Sequence, residues 1–292
     1  MGKTMIDKRM SVAEIVSRLE DGMTIGIGGW GARQKPMAVI REIIKSDLKD
    51  LTIVSYGGCD VGMLASAGKI KKLIFAFVSL DAVPLEAHFR RARSAGEFEV
   101  MEVDEGMFQL GLKAAAQRLD FLPCLAGLGT DVMTHNPEIK TIKSPYSDDH
   151  YVAMPALKLD VALCHVTEAD QKGNSYIAGP DMFFDEWFCR AAETSYLTCE
   201  RLVQTSAFND DHKILRMPIE RNLVSGVSET PFGAHPTSSG PDYGWDVPHL
   251  KTYSATAKEG WEDYVSNFIE ADDYIGKVGG ADHIRSLPLP AF

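Results

Sequence analysis

Four glycines cluster directly after a short apolar run near the start of the chain. The run Met23–Ile27 leads into a turn that contains Gly26, Gly28, Gly29, Trp30 and Gly31. Glycine permits positive φ and lets another group approach bare backbone N–H groups. Such N–H groups, with the N-terminus of a following helix, suit a phosphate, a carboxylate or a developing oxyanion. We predict that Gly28–Gly31, called the glycine loop below, contributes to a binding site.

Two adjacent acidic residues follow a run of alternating apolar and polar residues. The run Phe98–Val103 predicts a strand, and Asp104 and Glu105 come directly after it. Neighbouring side chains on an extended backbone point to opposite sides, so at most one of these carboxylates enters a crevice at the strand end. A carboxylate there can act as a nucleophile or a general base. The alternative is a solvated acidic turn, and the residues leave both open.

Three arginines, Arg90, Arg91 and Arg93, occupy the end of a predicted helix. Cations at a helix C-terminus complement its dipole, which is a structural role. The functional alternative is an anion clamp for a phosphate or a carboxylate.

The elements that position these residues alternate between strands and helices. After the first run, strands are predicted at Leu51–Tyr56, Leu73–Ser79, Phe98–Val103, Phe121–Ala126, Leu159–Val166, Leu197–Val203 and Asn222–Ser225. Helices are predicted after the capping box Ser11–Glu14 and at Pro36–Ile44, Leu85–Arg93, Gln109–Arg118, Asp181–Ala192 and Gly260–Asp272. This alternation predicts an α/β fold with an open, doubly wound, mostly parallel sheet.

Ligands of such sheets bind at the carboxyl ends of the strands. Glycine turns follow the predicted strands at Ile27, Tyr56 and Ala126, and the third turn contains Gly127 and Gly129. We therefore expect the three turns to share one crevice.

The whole chain, residues 1–292, is predicted to form a single domain, with an extended Pro/Gly-rich C-terminal segment from about residue 226. Proline and glycine concentrate between Thr230 and Pro248. The aromatic residues there argue against a free linker and favour a segment that lies extended over the surface or over a partner.

Composition excludes several classes of function. The net charge of −11 argues against a nucleic-acid partner, because no basic face is available to replace counterions. No run approaches the ~18 apolar residues of a membrane span, and Met1–Met10 has no apolar stretch typical of a secretory signal. The five cysteines form no Cys-x-x-Cys pair, and the eight histidines lack metal-ligand spacing. We expect a cytoplasmic protein with reduced thiols, no metal and no membrane association.

A nicotinamide cofactor is one alternative interpretation of the glycines. Gly26, Gly28 and Gly31 fit the dinucleotide-binding pattern, which also requires an acidic residue at the end of the second strand. Ser55, Tyr56 and Gly57 close that strand instead, so the fingerprint is incomplete. A tight strand-to-helix turn without any ligand is the simpler alternative.

Four motifs together resemble the alpha subunit of family I coenzyme A transferases of the glutaconate type. They are Asp21–Trp30, Gly127–Thr130, Lys158–Asp170 with Gly173-Asn174, and Pro231–Pro236, in the family's order. The resemblance implies a fold shared with sugar-phosphate isomerases, a homologous beta subunit, an α2β2 heterotetramer, and an acyl-CoA substrate with no further cofactor.

The family's nucleophilic glutamate normally lies in a Ser-Glu-Asn-Gly motif on the beta subunit, and this chain lacks that motif. Its own Glu105, within Phe98–Phe108, makes it similar to the alpha subunits of the ring-opening hydrolases of actinobacterial cholesterol catabolism. That resemblance implies hydrolytic C–C cleavage of a β-dicarbonyl ring in a steroid-derived acyl-CoA. Glu105 would be the catalytic base. Substrate or CoA would be bound by Gly28, Gly29, Trp30, Gly31, Arg93, Gly127 and Gly129.

Two other classes of function stay open. One is a CoA transferase whose covalent glutamate lies on the beta subunit. The other is a non-catalytic module of the same fold that binds a sugar phosphate or a CoA ester.

Overall fold

The computed structural model describes residues 6–83, 85–180 and 182–290. Residues 1–5, considered above for a secretory signal, and the predicted helix start at Asp181 lie outside the described residues. The strands are β1 Thr24–Ile27, β2 Leu51–Gly57, β3 Ile70–Val78, β4 Glu99–Glu102, β5 Phe121–Cys124, β6 Lys140–Lys143, β7 His150–Pro155, β8 Leu159–Ala169, β9 Ser175–Tyr176, β10 Ala192–Leu202 and β11 Val224–Glu229.

The helices mostly follow the strands in sequence. They are α1 Val12–Val16, α2 Met37–Lys45, α3 Cys59–Ser66, α4 Ala87–Ala95, α5 Glu105–Ala116, α6 Asp131–His135, α7 Asp185–Ala191, α8 Asp211–Ile214, α9 Val247–Ala255, α10 Trp261–Tyr264, α11 Tyr274–Lys277 and α12 Ala281–Arg285. A 3-10 turn spans Thr205–Phe208, and a π-helical turn spans Val265–Ile269. The predicted capping box is present, because Glu14 N donates to Ser11 Oγ and Ser11 N donates to the Glu14 carboxylate.

The main sheet has eight strands and confirms the predicted α/β architecture. Its order is β11-β10-β8-β1-β2-β3-β4, all in parallel, and the short β9 pairs antiparallel to β8. From β1 the chain builds outward through β2, β3 and β4, and later strands add on the other side of β1 through β8. The strand order reverses between β1 and β8, so the glycine loop follows β1 at the point where ligands of open sheets bind.

Alternating residues of the strands belong to two separate apolar layers, one on each face of the sheet. Ile53 and Phe75 belong to the layer that also contains residues of α2, α3 and α4. Val54 and Tyr56 belong to the layer that contains Phe108 of α5 and residues of α7. Because successive side chains of a strand point to opposite faces, α4 and α5 cover opposite faces of the sheet.

The predicted fifth parallel strand was assigned to the wrong sheet. The segment around Phe121 forms β5, which pairs antiparallel with β7 in a separate three-stranded sheet of order β5-β7-β6. Phe121 and Pro123 are exposed, and proline lacks the N–H that a central strand needs. The turn at Gly127 and Gly129 therefore does not extend from a strand of the main sheet.

The Pro/Gly-rich C-terminal segment is buried, which corrects the prediction that it lies over the surface or a partner. His235, Thr237, Ser239 and Tyr243 are almost completely buried. Its polar backbone is satisfied by the residues after the glycine loop, because Gln34 N donates to Ser238 O at 2.7 Å and Ser238 N donates to Ala32 O at 3.0 Å.

Several predicted boundaries also change. The turn after Tyr56 continues directly into α3, and the predicted strand at Asn222–Ser225 starts and ends later, as β11. The predicted closing helix is interrupted, since α10 ends at Tyr264 and the π-helical turn follows. The rings of Tyr264 and Phe268 still contact each other across that junction, with centroids 5.0 Å apart and planes inclined by 43°.

Candidate active site

Glu105 is the first residue of α5 and follows the carboxyl end of β4. Asp104 is the N-cap of this helix, and its side chain accepts a hydrogen bond from Gly106 N at 2.7 Å. Glu105 is partly buried, and Gln109 Nε2 lies 3.4 Å from its Oε1. The two adjacent carboxylates thus have different surroundings: Asp104 caps the helix, and the carboxylate of Glu105 lies beside Gln109.

An aromatic group lies beside Glu105 at the ends of β1, β2 and β3. We define the aromatic shelf as the partly exposed rings of Trp30, Phe77 and Phe184, which surround the buried ring of Tyr56. Phe77 and Phe184 lie 5.5 and 5.7 Å from the Tyr56 ring, and Trp30 lies 6.1 Å from it. The Tyr56 hydroxyl donates to the backbone O of Glu105 at 3.4 Å, which joins the shelf to the carboxylate-bearing residue.

Tyr56 remains a neutral phenol at ordinary pH. Burial raises the pKa of its hydroxyl far above the usual range, and the nearby charge of Glu105 adds to the effect. The Tyr56 hydroxyl is therefore a hydrogen-bond donor at the border between the shelf and Glu105.

The four amides of the glycine loop already have acceptors within the chain, which corrects their predicted use for an oxyanion. Gly28 N donates to Leu163 O, Gly29 N to Asp185 Oδ1, Trp30 N to Arg33 O, and Gly31 N to Tyr56 O, at 2.9–3.2 Å. An amide with an internal acceptor is not available to a substrate oxygen in this conformation. Contact between substrate and Gly28, Gly29, Trp30 or Gly31 stays a prediction.

A buried polar cluster underneath holds the glycine loop in place. The fully buried Lys35 Nζ lies 2.9 Å from Ser55 Oγ, 3.3 Å from Asp60 Oδ2 and 3.4 Å from Gly29 O. Asp185, also fully buried, has a pKa raised to about 8, because desolvation outweighs the hydrogen bond from Gly29 and the charge of Lys35. Sequence reasoning missed this cluster, because Lys35, Asp60 and Asp185 are far apart in the sequence and no local pattern connects them.

Arg93 lies on the opposite side of the sheet from Glu105. Its guanidinium forms an ion pair with Glu102 and lies 5.6 Å above the ring of Phe75, on the face covered by α4. Glu105 contacts Tyr56, on the face covered by α5. The structure therefore does not bring Arg93 to Glu105, and a substrate carboxylate would have to displace Glu102 to reach it.

The turn with Gly127 and Gly129 lies near the start of α5 and does not follow a strand of the main sheet. A Cβ at Gly127 would lie 2.5 Å from Met107 Sδ, two residues after Glu105, whereas one at Gly129 would meet nothing within 4 Å. Thr130 Oγ1 donates to Gly127 O at 2.8 Å and closes the turn. Gly127 is thus close to the start of α5, and Gly129 lies further out in solvent; ligand contact at either position stays a prediction.

Two of the motifs behind the resemblance meet in a second buried network. His165 Nε2 lies 2.8 Å from Glu200 Oε1, and Glu200 Oε2 accepts from Phe232 N at 2.7 Å. Tyr243 donates its hydroxyl to Glu200 at 2.5 Å. Hydrogen bonds from His165, Tyr243 and Phe232 lower the pKa of Glu200 although burial opposes them. This network attaches the C-terminal segment to the sheet, so these motifs serve the fold.

Across the described residues, no group of three or more His, Cys, Asp or Glu side chains is arranged to hold a metal ion. Within the same ranges, no helix is both long and apolar enough to cross a membrane.

Comparison with known proteins identifies the family of this chain. The coenzyme A transferase family matches residues 9–218, about three quarters of the chain. The chain belongs to the coenzyme A transferase family. It is 45% identical over 283 residues to the "cholesterol ring-cleaving hydrolase IpdA subunit" of Rhodococcus jostii, covering 93% of this chain and 96% of that protein. The protein of the same name from Mycobacterium tuberculosis is 43% identical over 278 residues, covering 92% and 95%.

A solved structure confirms the fold. Glutaconate coenzyme A-transferase from Acidaminococcus fermentans superimposes with a TM-score of 0.89 at 25% identity, over 97% of this chain and 96% of that chain. The decarboxylase AibA/AibB gives a TM-score of 0.78 at 27% identity, over 88% and 96%. The resemblance stated from the motifs is therefore confirmed for the family and the fold.

Proposed function

We propose that this chain is the catalytic-glutamate subunit of a hydrolase that opens a β-dicarbonyl ring in a steroid-derived acyl-CoA during cholesterol catabolism. The observation that carries the proposal is the position of Glu105 at the start of α5, joined through Tyr56 to an aromatic shelf. Near full-length similarity to proteins named as cholesterol ring-cleaving hydrolase subunits supports it.

The reaction needs a base, a water molecule and an electrophilic ketone. Glu105 removes a proton from water, and the water oxygen bonds to the ring ketone carbon. The bond between that carbon and its neighbour breaks, which leaves a carboxylic acid and a carbanion stabilised as an enolate by the second carbonyl. The enolate takes up a proton, so one water is added in total and the thioester to CoA is retained. No cofactor beyond the acyl-CoA substrate is required.

The same proposal includes a homologous partner subunit. The relatives are named as subunits, and family members superimpose over nearly the whole chain. We propose an α2β2 heterotetramer that acts in the cytoplasm, with the acyl-CoA held between the two kinds of subunit.

A second candidate is a CoA transferase whose nucleophilic glutamate lies on the partner. The high TM-score with glutaconate coenzyme A-transferase favours it. It differs in needing an acceptor acid and in forming an acyl-glutamyl adduct on the partner.

Co-expression with the homologous partner allows a direct test. The complex is incubated with a ring-bearing β-dicarbonyl acyl-CoA without acceptor acid, and the product is followed by mass spectrometry. A product heavier by one water with CoA still attached supports ring-opening hydrolysis. CoA exchange that begins only after an acceptor acid is added supports the transferase.

The Glu105→Gln variant tests the base. Removal of a general base typically costs ~10²–10⁴-fold in rate, so kcat is expected to fall by about that factor with an unchanged circular dichroism spectrum. Glu99→Gln, an exposed position on β4, is the matched control and is expected to keep activity. Full activity in a folded Glu105→Gln complex would contradict the assignment.

A further inference from the structure

The aromatic shelf gathers rings from three separate parts of the chain. Trp30 follows β1, Phe77 belongs to β3, and Phe184 directly precedes α7. Trp30 lies 5.8 Å from Phe77 and 6.4 Å from Phe184, and these ring planes are inclined by 44° and 42°. The three rings together form one continuous apolar wall whose floor is Tyr56.

Phe184 is held in the shelf by a strained backbone. Its φ of +62° lies in the left-handed region, as does the φ of +48° at Phe183. Two consecutive aromatic residues in this region cost conformational energy and persist only when their surroundings fix them. Here the next residue, Asp185, accepts the hydrogen bond from Gly29 N at 2.9 Å and ties the strained turn to the glycine loop. Phe183 also meets Trp30 edge-on, at 6.4 Å.

The shelf presents the partly exposed aromatic rings of Trp30, Phe77 and Phe184. The buried cation Lys35 is held under the glycine loop by Asp60 and Ser55. A linear acyl group that ends in a second carboxylate would lose hydration against these rings. A flat apolar ring would instead cover the partly exposed faces and edges of Trp30, Phe77 and Phe184.

The position of the shelf relative to Glu105 determines which part of a substrate contacts the shelf. The Tyr56 hydroxyl contacts the backbone oxygen of Glu105, so we expect a group on the shelf to lie next to the group that water attacks. For a ring-bearing acyl-CoA, that neighbour is the apolar remainder of the ring system.

We propose that the aromatic shelf is the acyl subsite of this chain and that it selects an apolar ring system next to the reacting dicarbonyl. The assignment rests on the proposed function for the reaction itself. It adds Trp30, Phe77 and Phe184 as specificity-determining residues, which favour ring-bearing acyl groups over linear dicarboxylic ones.

Binding to an inactive complex separates this inference from the reaction. In the Glu105→Gln complex with the partner subunit, a ring-bearing acyl-CoA is expected to change tryptophan fluorescence, and succinyl-CoA to change it much less. Trp30→Phe in the same complex is expected to abolish most of the response while it keeps an aromatic ring. A response that persists without Trp30 would place the ring elsewhere and overturn the inference.

Substitution of the shelf tests selectivity. Phe77→Leu and Trp30→Leu are each expected to weaken binding of the ring-bearing acyl-CoA by about tenfold, because buried aromatic contact is lost. Binding of succinyl-CoA is expected to change by less than about twofold, since the succinyl group has no ring to cover the shelf. Phe121→Leu, an exposed position on β5, is the matched control. Equal weakening for both ligands would show a general structural effect and contradict the inference.

Ring opening that persists in shelf variants at saturating substrate would support a binding role for the shelf and leave the proposed function intact. Ring-selective binding without any ring opening by the unmodified complex would retain the shelf and overturn the proposed function.

Discussion

Gly29 and Gly129 look alike in sequence but meet different surroundings. Both have positive φ, +75° and +73°. A Cβ at Gly29 would lie 2.5 Å from the backbone O of Arg33, whereas one at Gly129 would meet open space. Gly129→Ala is expected to cost about 1–2 kcal/mol of unfolding free energy from the left-handed backbone alone. Gly29→Ala is expected to cost a further ~1–3 kcal/mol, since backbone must move.

Urea unfolding of the two variants by circular dichroism measures this difference. Equal costs would show that the contact around Gly29 relaxes freely and that the glycine loop is not held rigidly.

The glycine loop was predictable from the sequence, but the hydrogen-bond acceptors of its amides were not. The cluster of glycines after an apolar run predicted a strand-to-helix turn, which the structure has. The acceptor for Gly29 N is Asp185, 156 residues later in the chain, and no local pattern connects the two. The alternating run predicted a carboxylate at the end of β4 but left Asp104 and Glu105 as alternatives, and Glu105 was chosen only through the family resemblance. The role of Asp104 as a helix cap was not recognised.

At the scale of elements, Glu200 on β10 fixes the C-terminal segment to the sheet. It accepts hydrogen bonds from Tyr243, Phe232 N and His165. Tyr243→Phe removes one donor and leaves Ala234 N without the Tyr243 oxygen, which it contacts at 3.1 Å. The loss is expected to be about 1–3 kcal/mol, and Glu200→Ala is expected to cost more because several buried donors lose their acceptor.

Limited proteolysis between Thr230 and Asp246, with urea unfolding, measures this attachment. Both variants are expected to be cleaved faster there than the unmodified protein. Tyr146→Phe is the control, because Tyr146 is 97% exposed. Unchanged cleavage in Glu200→Ala would mean that apolar packing alone holds the segment.

Strands were predicted correctly where a continuous apolar run indicates that both faces of the strand are buried. The continuous apolar runs of β2, β3 and β8 were identifiable as central strands, and all three lie inside the parallel sheet. The prediction failed where the location of a segment depends on the distant residues with which it pairs. β5 resembles a short apolar strand of the main sheet, yet it pairs with β7. The segment rich in proline and glycine resembles a surface loop, yet long-range hydrogen bonds to residues after the glycine loop bury it.

At the scale of the whole molecule, buried ionisable groups set how stability depends on pH. Burial lowers the pKa of His88 and of His249 to about 4. Burial raises the pKa of Glu86 to about 7 and that of Asp185 to about 8. Both histidines are therefore neutral, and both acids protonated, through much of the weakly acidic range in the folded state. Between about pH 4.5 and 6.5 the unfolded chain gains protons on the histidines and loses them from the acids, so the two effects offset each other.

Above about pH 6.5 only the acids contribute, and the sign becomes definite. The unfolded chain has released protons that folded Asp185 and Glu86 still hold, so the free energy of unfolding falls as pH rises, until each group's folded pKa is passed. The slope is about 1.4 kcal/mol per pH unit for each retained proton. Asp185→Asn is expected to reduce the decline between about pH 6.5 and 8, whereas the fully exposed Asp148→Asn is expected to preserve it. Urea unfolding at a series of pH values measures both slopes. A decline that is as steep in Asp185→Asn as in the unmodified protein would mean that Asp185 is ionised in the folded state and that the charge of Lys35 compensates it.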